Sequence, residues 1–330
     1  MKKSTITIYD VAKKADVSMA TVSRVVNGTG KVKEETRQKV QQIIEDMGYH
    51  PNAVARGLAS QKTTTIGIFL PDLNNAYFNE LAQGIDDVSK LYNYNIILMS
   101  SSISHQNEKD VLRSLFSQQV DGIVYMSYDI SDEVCDLLYE KGIPTVLAGV
   151  IDYKRQLPSV NIDYKAATFE VMERFAQKYN SIALVVQDKN TNVNQDFRCK
   201  GMAEAAKKYP KIQFEVIRAG YGYENGLAVF NEVKAKKIQA ILTTDDSVAI
   251  GILNAASDQG IKIPEELEVM SAMNTKLALM ARPELSSISQ PLYDMGAVAM
   301  RMLTKLMKKE VVQDQQVILP HEIINRKSTK

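Results

Sequence analysis

The chain has 330 residues, 45% hydrophobic and 24% charged, which is enough for two or three domains with buried cores. No run approaches the roughly 18 to 20 uninterrupted apolar residues of a membrane span, and the opening "MKKSTITIYD" lacks the apolar region of a secretory signal, so a cytoplasmic protein without membrane contact is expected. The net charge of +1 hides an asymmetry: residues 1–62 hold 11 of the 40 Lys and Arg but only 6 of the 39 Asp and Glu, leaving 29 cations against 33 anions in the remainder, a pattern that suits a polyanionic partner at one end.

In "IYDVAKKA", residues 8–15, Val11, Ala12 and Ala15 fall on one face of a short helix. A break follows at "DVS", where Asp16 occupies a turn position that asks for a left-handed backbone, and Ser18 is placed to cap a second helix. Val22, Val25 and Val26 form that helix's inner stripe. Its outer face carries Ser18, Met19, Ala20, Thr21, Ser23, Arg24 and Asn27, a mixture of small, methyl-bearing and hydrogen-bonding groups. A third helix over roughly residues 34–47 has Val40, Ile43, Ile44 and Met47 at i, i+3, i+4 and i+7. Three short helices around one core form a helix-turn-helix head, whose second helix would enter the DNA major groove. Arg24 could donate twice to a guanine, while Met19, Ala20 and the Thr21 methyl meet thymine methyls. Periodicity alone equally fits an ordinary surface helix.

"GYHPNAVARGLASQK" then offers a short, weak helix starting near Pro51, with Gly57 inside it. Arg56 and Lys62 can contact phosphates. Leu58, with no evident core around it, fits either a minor-groove wedge or an incidental leucine of a helical linker.

Beyond Lys62 the rhythm changes. "TTIGIFL", "NIILMS", "GIVYMS" and "PTVLAGV" read as strands separated by helices around Phe78–Tyr92, Lys109–Gln118 and Asp132–Glu140. The pattern repeats with "SIALVV", "FEVIRA", "QAILTT" and "LEVMSA", separated by helices around Asp196–Lys208, Tyr223–Lys234 and Val248–Gln259. The expected fold is a small all-α helix-turn-helix head plus an α/β two-lobed body of two doubly wound parallel sheets. A helix over Leu292–Lys308 and one strand, "QQVILPHEI", are expected to return to the first sheet. The domains then run 1–50 (head), 51–62 (hinge helix and linker), 63–162 with 292–330 (first lobe) and 163–291 (second lobe). A small-molecule site belongs in the cleft between the lobes.

Catalytic chemistry is not expected. The sequence has neither common Gly-rich phosphate loop nor a G-x-S-x-G elbow, and His50, His105 and His321 are scattered. Asp245-Asp246 after a strand more readily begins a helix than forms an acid/base pair. Cys135 and Cys199 lack metal or disulfide spacing and read as passive thiols, so neither metal nor cofactor is implied.

"TIYDVAKKADVSMATVSRVVNG", "GYHPNAVARGLAS" and the two-lobed body together resemble the lactose-repressor/galactose-repressor family over essentially the whole chain. With "QPLYDMGAVAMRMLTKLM", they look most like its members that govern carbon catabolite repression and activation. The resemblance implies a periplasmic-binding-protein-like body and a homodimer on a pseudo-palindromic double-stranded operator. It puts Met19, Ala20, Thr21 and Arg24 at major-groove positions, Asn52, Ala55 and Arg56 at hinge contacts, and Leu58 at the minor-groove wedge. Asp16 departs from the glycine usual at the turn. In the cleft, Arg198 falls at an effector-binding arginine and Asp245 at a polar pocket position, but "SAMNT" puts Met273 where sugar-responsive relatives carry an aspartate. Methionine cannot accept a sugar hydroxyl as a carboxylate can, so a sugar inducer is disfavoured and a sugar phosphate stays open as a weaker modulator.

The other input implied is a protein. On the helix after Pro291, Asp294, Arg301, Lys305 and Lys308 gather at heptad-like spacing. Cations at a helix carboxyl end also suit the macrodipole without any partner. By resemblance, Tyr293, Arg301 and Lys305 would dock the phosphocarrier protein HPr phosphorylated on a serine, with Asp72 and Tyr77–Asn79 bordering that surface. Three functions follow: a regulator with phosphorylated HPr as co-repressor, one governed by a small sugar or nucleobase in the cleft, and a sugar receptor with an incidental head.

Overall fold

The computed structural model describes residues 6–28, 30–49, 63–101, 108–154, 157–187 and 193–330. The hinge positions Asn52, Ala55, Arg56, Leu58 and Lys62 lie outside them, as does the side chain of Asn27. The chain divides into two compact units, residues 1–63 and 64–330.

In the first unit, helices α1 (Ile8–Ala15), α2 (Met19–Asn27) and α3 (Glu34–Met47) enclose Val11, Ala12, Ala15, Val22, Val25 and Val40, with Val26, Ile43, Ile44 and Met47 packed around them. Tyr49 completes this core. Local chemistry sets each boundary. The Thr7 N–H and hydroxyl both donate to the Asp10 carboxylate at the start of α1, and Asp16 closes it with a φ of 54°, the left-handed backbone expected of the turn.

The second unit begins with β1 (Thr65–Leu70), α4 (Ala76–Leu91), β2 (Asn95–Ser100), α5 (Glu108–Ser117), β3 (Gly122–Met126), α6 (Asp132–Lys141), β4 (Thr145–Ala148) and β5 (Ser159–Ile162). The same alternation follows with α7 (Tyr164–Ala176), β6 (Ser181–Gln187), α8 (Val193–Lys208), β7 (Gln213–Ala219), α9 (Tyr223–Ala235), β8 (Ala240–Thr243), α10 (Asp246–Asp258), β9 (Glu268–Ser271), α11 (Lys276–Met280) and β10 (Ser286–Ser289). The strands run β2-β1-β3-β4-β5 and β7-β6-β8-β9-β10, parallel throughout. In this order the chain reverses direction beside β1 and beside β6, and the loops leaving those strands and β3 and β8 converge on one cleft.

Strand β5, helix α7 and strand β10 are additions to the sequence reading. "SVNI" and "SSIS" are fully or nearly buried although their polar residues break the apolar signal. Their polar groups are satisfied in place: Ser271 and Ser287 share a hydroxyl bond of 2.9 Å, and the Ser286 N–H donates to Ser328 Oγ at 2.7 Å.

After β10, helix α12 (Leu292–Met307) crosses back to pack on α4 and on β3, β4 and β5. The expected strand "QQVILPHEI" is two strands. β11 (Gln316–Leu319) pairs in parallel with β5 in the first sheet, and β12 (Glu322–Ile324) pairs antiparallel with β10 in the second. Pro320 has no N–H for the ladder, so β11 stops there and the chain changes sheets. Residues 322–330 therefore pack with the second lobe, not the first: the Ser328 hydroxyl donates to Val269 O and the Lys330 N–H to Glu268.

Candidate functional site

The head presents α2 as a capped helix with one polar face. The Thr21 N–H donates to Ser18 Oγ at 3.2 Å, the two hydroxyls lie 3.0 Å apart, and Gly28, at φ 64°, caps the other end through bonds to the carbonyls of Arg24 and Val25. Val22 and Val25 point inward, whereas Ser18, Met19, Ala20 and Arg24 are exposed and Thr21 and Ser23 half-buried. Met19 is 52% exposed and offers its thioether to that face. Of the sequence-predicted reading residues, Ser18, Met19, Ala20 and Arg24 are thus accessible and Thr21 and Ser23 partly so.

The cleft of the body is closed by its own side chains. Tyr128, after β3 of the first lobe, stacks on Tyr221, after β7 of the second, with ring centroids 5.6 Å apart, and Tyr77 and Phe78 pack against Tyr128. Hydrogen bonds cross between lobes on both sides: Asn194 Nδ2 donates to Gly149 O (2.6 Å), the Lys276 N–H to Glu80 (3.0 Å), the Val193 N–H to Asp129 (3.3 Å) and the Tyr153 hydroxyl to Asp196. Arg198 is buried with its guanidinium 4.8 Å from the Tyr164 ring centroid, its Nη1 has no hydrogen-bond partner, and burial lowers its pKa.

Arg198 and Met273 line a common cavity of about 20 Å³ with Tyr77, Tyr128, Asn194 and Gln195. That is room for one water, not a sugar. A neighbouring cavity of about 150 Å³ is lined by Asp72, Asn75, Asp245, Asp246, Met273 and Thr275. Asp245 caps α10 by accepting from the Val248 N–H at 3.0 Å, as its position after a strand predicted, and burial raises its pKa to about 6. Asp246 accepts from Ser271 and from both the N–H and hydroxyl of Thr275. The structure therefore brings Arg198, Asp245 and Met273 to one cleft. Tyr128, Tyr221 and Asn194 escaped sequence reasoning, although the tyrosines' places just after strands β3 and β7 were a usable signal.

On α12, Asp294, Arg301 and Lys305 are exposed along one side, and Lys308, which caps the helix, continues it. Arg301, Lys305 and Lys308 border an open groove with Tyr92, Met302, Val311 and Val317 and with the carboxylates of Glu310 and Asp314. Lys308 Nζ sits 5.3 Å from the Tyr92 ring centroid, and neither Arg301 nor Lys305 forms an ion pair with a described residue. Tyr293 is displaced from that stripe, its hydroxyl donating to Asp87 on α4 at 3.1 Å. One expectation fails here: Tyr77 and Phe78 are 2% and 0% exposed and belong to the cleft and core, so of Tyr77–Asn79 only Asn79 is at the surface.

Residues 7–52 match the model for bacterial regulatory proteins of the lacI family, and residues 174–329 match a periplasmic binding protein-like domain. The chain is 44% identical over 328 residues to catabolite control protein A of Streptococcus mutans, covering 99% of this chain and 98% of that protein. It is also 44% identical over 330 residues to the HTH-type transcriptional regulator pepR1 of Lactobacillus delbrueckii subsp. lactis, covering 100% of this chain and 99% of that one. The chain belongs to the lacI family. The crystal structure of the transcription regulator CcpA of Lactococcus lactis superposes with a TM-score of 0.76 at 38% identity, covering 81% of this chain and 99% of that one.

As a lacI-family member similar along its whole length to catabolite control proteins, the protein is a DNA-binding transcription regulator of the catabolite-control type, and its relatives are not enzymes. Of the two cysteines, Cys135 is buried, with burial pushing its thiol up to about 12, and Cys199 is raised for the same reason. No helix among the described residues is long and apolar enough to cross a membrane.

Proposed function

We propose that the protein is a cytoplasmic homodimer that binds a pseudo-palindromic operator through Met19, Ala20, Thr21 and Arg24, and that serine-phosphorylated HPr, docking on α12, raises its operator affinity. The observation that carries this reading is the α12 groove: Arg301 and Lys305 are exposed, share one open surface with apolar Val311 and Val317, and form no ion pair with a described residue, so the three cations Arg301, Lys305 and Lys308 outnumber the carboxylates of Glu310 and Asp314 on the same groove. A phosphoserine would take the guanidinium of Arg301 through charge-assisted bonds, with Lys305 as a second cation. Largely exposed Leu279 and Met280 on α11 supply apolar surface for a second copy. The partner acts by binding one arrangement of lobes and hinges better than the other, so its effect cannot exceed that difference in affinity.

The closed cleft gives less support to control by a sugar or nucleobase. Its inner cavity is about 20 Å³, and the buried carboxylates bordering the outer one, Asp245 and Asp246, already accept from Val248, Ser271 and Thr275. Operator binding at fixed salt, with and without HPr phosphorylated on serine, tests the proposal. Affinity is expected to rise with the partner and the rise to vanish in Arg301→Ala. An unchanged affinity removes the co-repressor and leaves the DNA-binding function standing.

A further inference from the structure

The turn that ends α2 does more than stop the helix. Gly28 folds the chain back by bonding to the carbonyls of Arg24 and Val25, and two residues later Gly30, at φ 73°, lies against the Arg24 side chain. A Cβ at Gly30 would stand 3.3 Å from Arg24 Cδ, 3.6 Å from Cγ and 3.7 Å from Nε. A Cβ at Gly28 would meet nothing within 4 Å. Both glycines have a left-handed backbone, so conformational freedom does not distinguish them. What distinguishes Gly30 is close approach: the aliphatic stem of Arg24 borders the space that a side chain at position 30 would occupy.

An exposed arginine on a helix end otherwise samples many rotamers, all but a few of which point its fork away from a base edge. Two parallel bonds to guanine O6 and N7 need the guanidinium held in one plane and one direction. The open space over Gly30 lets the stem lie in this one direction, and a side chain there would have to displace it.

We infer that Gly30 is a positioning residue for sequence reading: it sets the direction of the Arg24 guanidinium, so that base preference, and not the fold of the head, depends on the absence of a side chain at position 30. The inference rests on the proposal that Arg24 contacts a base, and its test separates the two.

The matched pair is Gly30→Asn against Gly28→Asn in the full chain, because asparagine tolerates a left-handed backbone and only the Cβ environment differs. Binding is measured at fixed salt to a family relative's operator, to the same operator with each guanine in turn replaced by 7-deazaguanine, which lacks the N7 acceptor, and to non-specific duplex, alongside thermal unfolding. Arg24→Ala identifies the guanine it reads as the position whose replacement no longer matters.

Gly30→Asn is expected to lose about 2- to 10-fold in operator affinity, with a weakened penalty at that same guanine and unchanged non-specific binding, while Gly28→Asn keeps both. If Arg24→Ala leaves every guanine penalty intact, the base contact fails, and the inference with it. If Arg24→Ala removes one penalty but Gly30→Asn preserves it, the positioning role alone is overturned. Equal losses of specific and non-specific binding in Gly30→Asn, the mark of a head that no longer folds, would make Gly30 a folding residue and overturn the inference as well.

Discussion

At the scale of single residues, the head separates groups that build the helix from groups left free to act. The Ser18 hydroxyl is committed to the Thr21 N–H, while Arg24 projects from the last turn of α2. Arg24→Ala should cost about 1–3 kcal/mol of operator affinity and relax preference at one base pair, whereas Lys62→Ala should weaken all sequences alike and reduce the slope of log affinity against log salt. Parallel salt titrations on operator and random duplex distinguish these outcomes.

Asp245 carries a different kind of consequence. Its pKa of about 6 lies above that of an unfolded aspartate, so between about pH 4 and 6 the folded protein holds a proton that the unfolded chain releases. The contribution of Asp245 to body stability should therefore fall as pH rises through this window, by roughly 2–3 kcal/mol. Asp246, raised by the same burial, acts in the same direction, and Glu133, Glu173 and Glu215, lowered by their lysine partners, act against it. Asp245→Asn, which can still cap α10, should remove that contribution, leave the part due to Asp246, and be more stable than the parent at pH 7.5. Denaturant unfolding at pH 5 and 7.5 checks both statements.

At the scale of elements, the helix that carries the cations is held by its contact with α4. A Cβ on Gly296 would lie 2.0 Å from Leu81 O, and one on Gly84 2.0 Å from Tyr293 O, so the two backbones meet where neither helix has a side chain. Gly296→Ala should push the helices apart and cost the body about 1–3 kcal/mol, read as a lower midpoint in thermal unfolding. Since Tyr293 donates to Asp87 across this same contact, any response to a partner on α12 should weaken in that variant too. An unaltered midpoint would show that the two helices can slide without loss.

Periodicity made these elements legible to different degrees. α1 to α3 have clean apolar stripes and capping residues. α7 has one as well, with Tyr164, Ala167, Thr168, Val171, Met172 and Phe175 on its buried face, and was available to a closer reading. Strands β5 and β10 were not, because buried Ser159, Asn161, Ser286 and Ser287 look like loop residues until their hydrogen-bond partners are in place.

At the scale of the whole molecule, the chain consists of a small reading unit and a much larger body, each with its own core. Removing residues 1–62 should abolish operator binding while leaving the denaturant transition of the body nearly unchanged, a comparison that also rejects a sugar receptor with an incidental head if operator binding is lost. Within the body, the chain passes between lobes at 163, near 291 and again at Pro320, so the lobes can move relative to one another only about these crossings.

By itself the sequence determined the capped head with its outward Arg24, the alternating strands and helices, and the cations along α12, because each follows from contacts a few residues apart. Only the tertiary structure decided that Tyr128 and Tyr221 close the cleft on Arg198, that Tyr77 and Phe78 are withdrawn from the surface, and that the last residues cross to the second lobe. Those outcomes depend on which distant segments become neighbours, and a local pattern of polar and apolar residues does not encode the partner against which each will be buried.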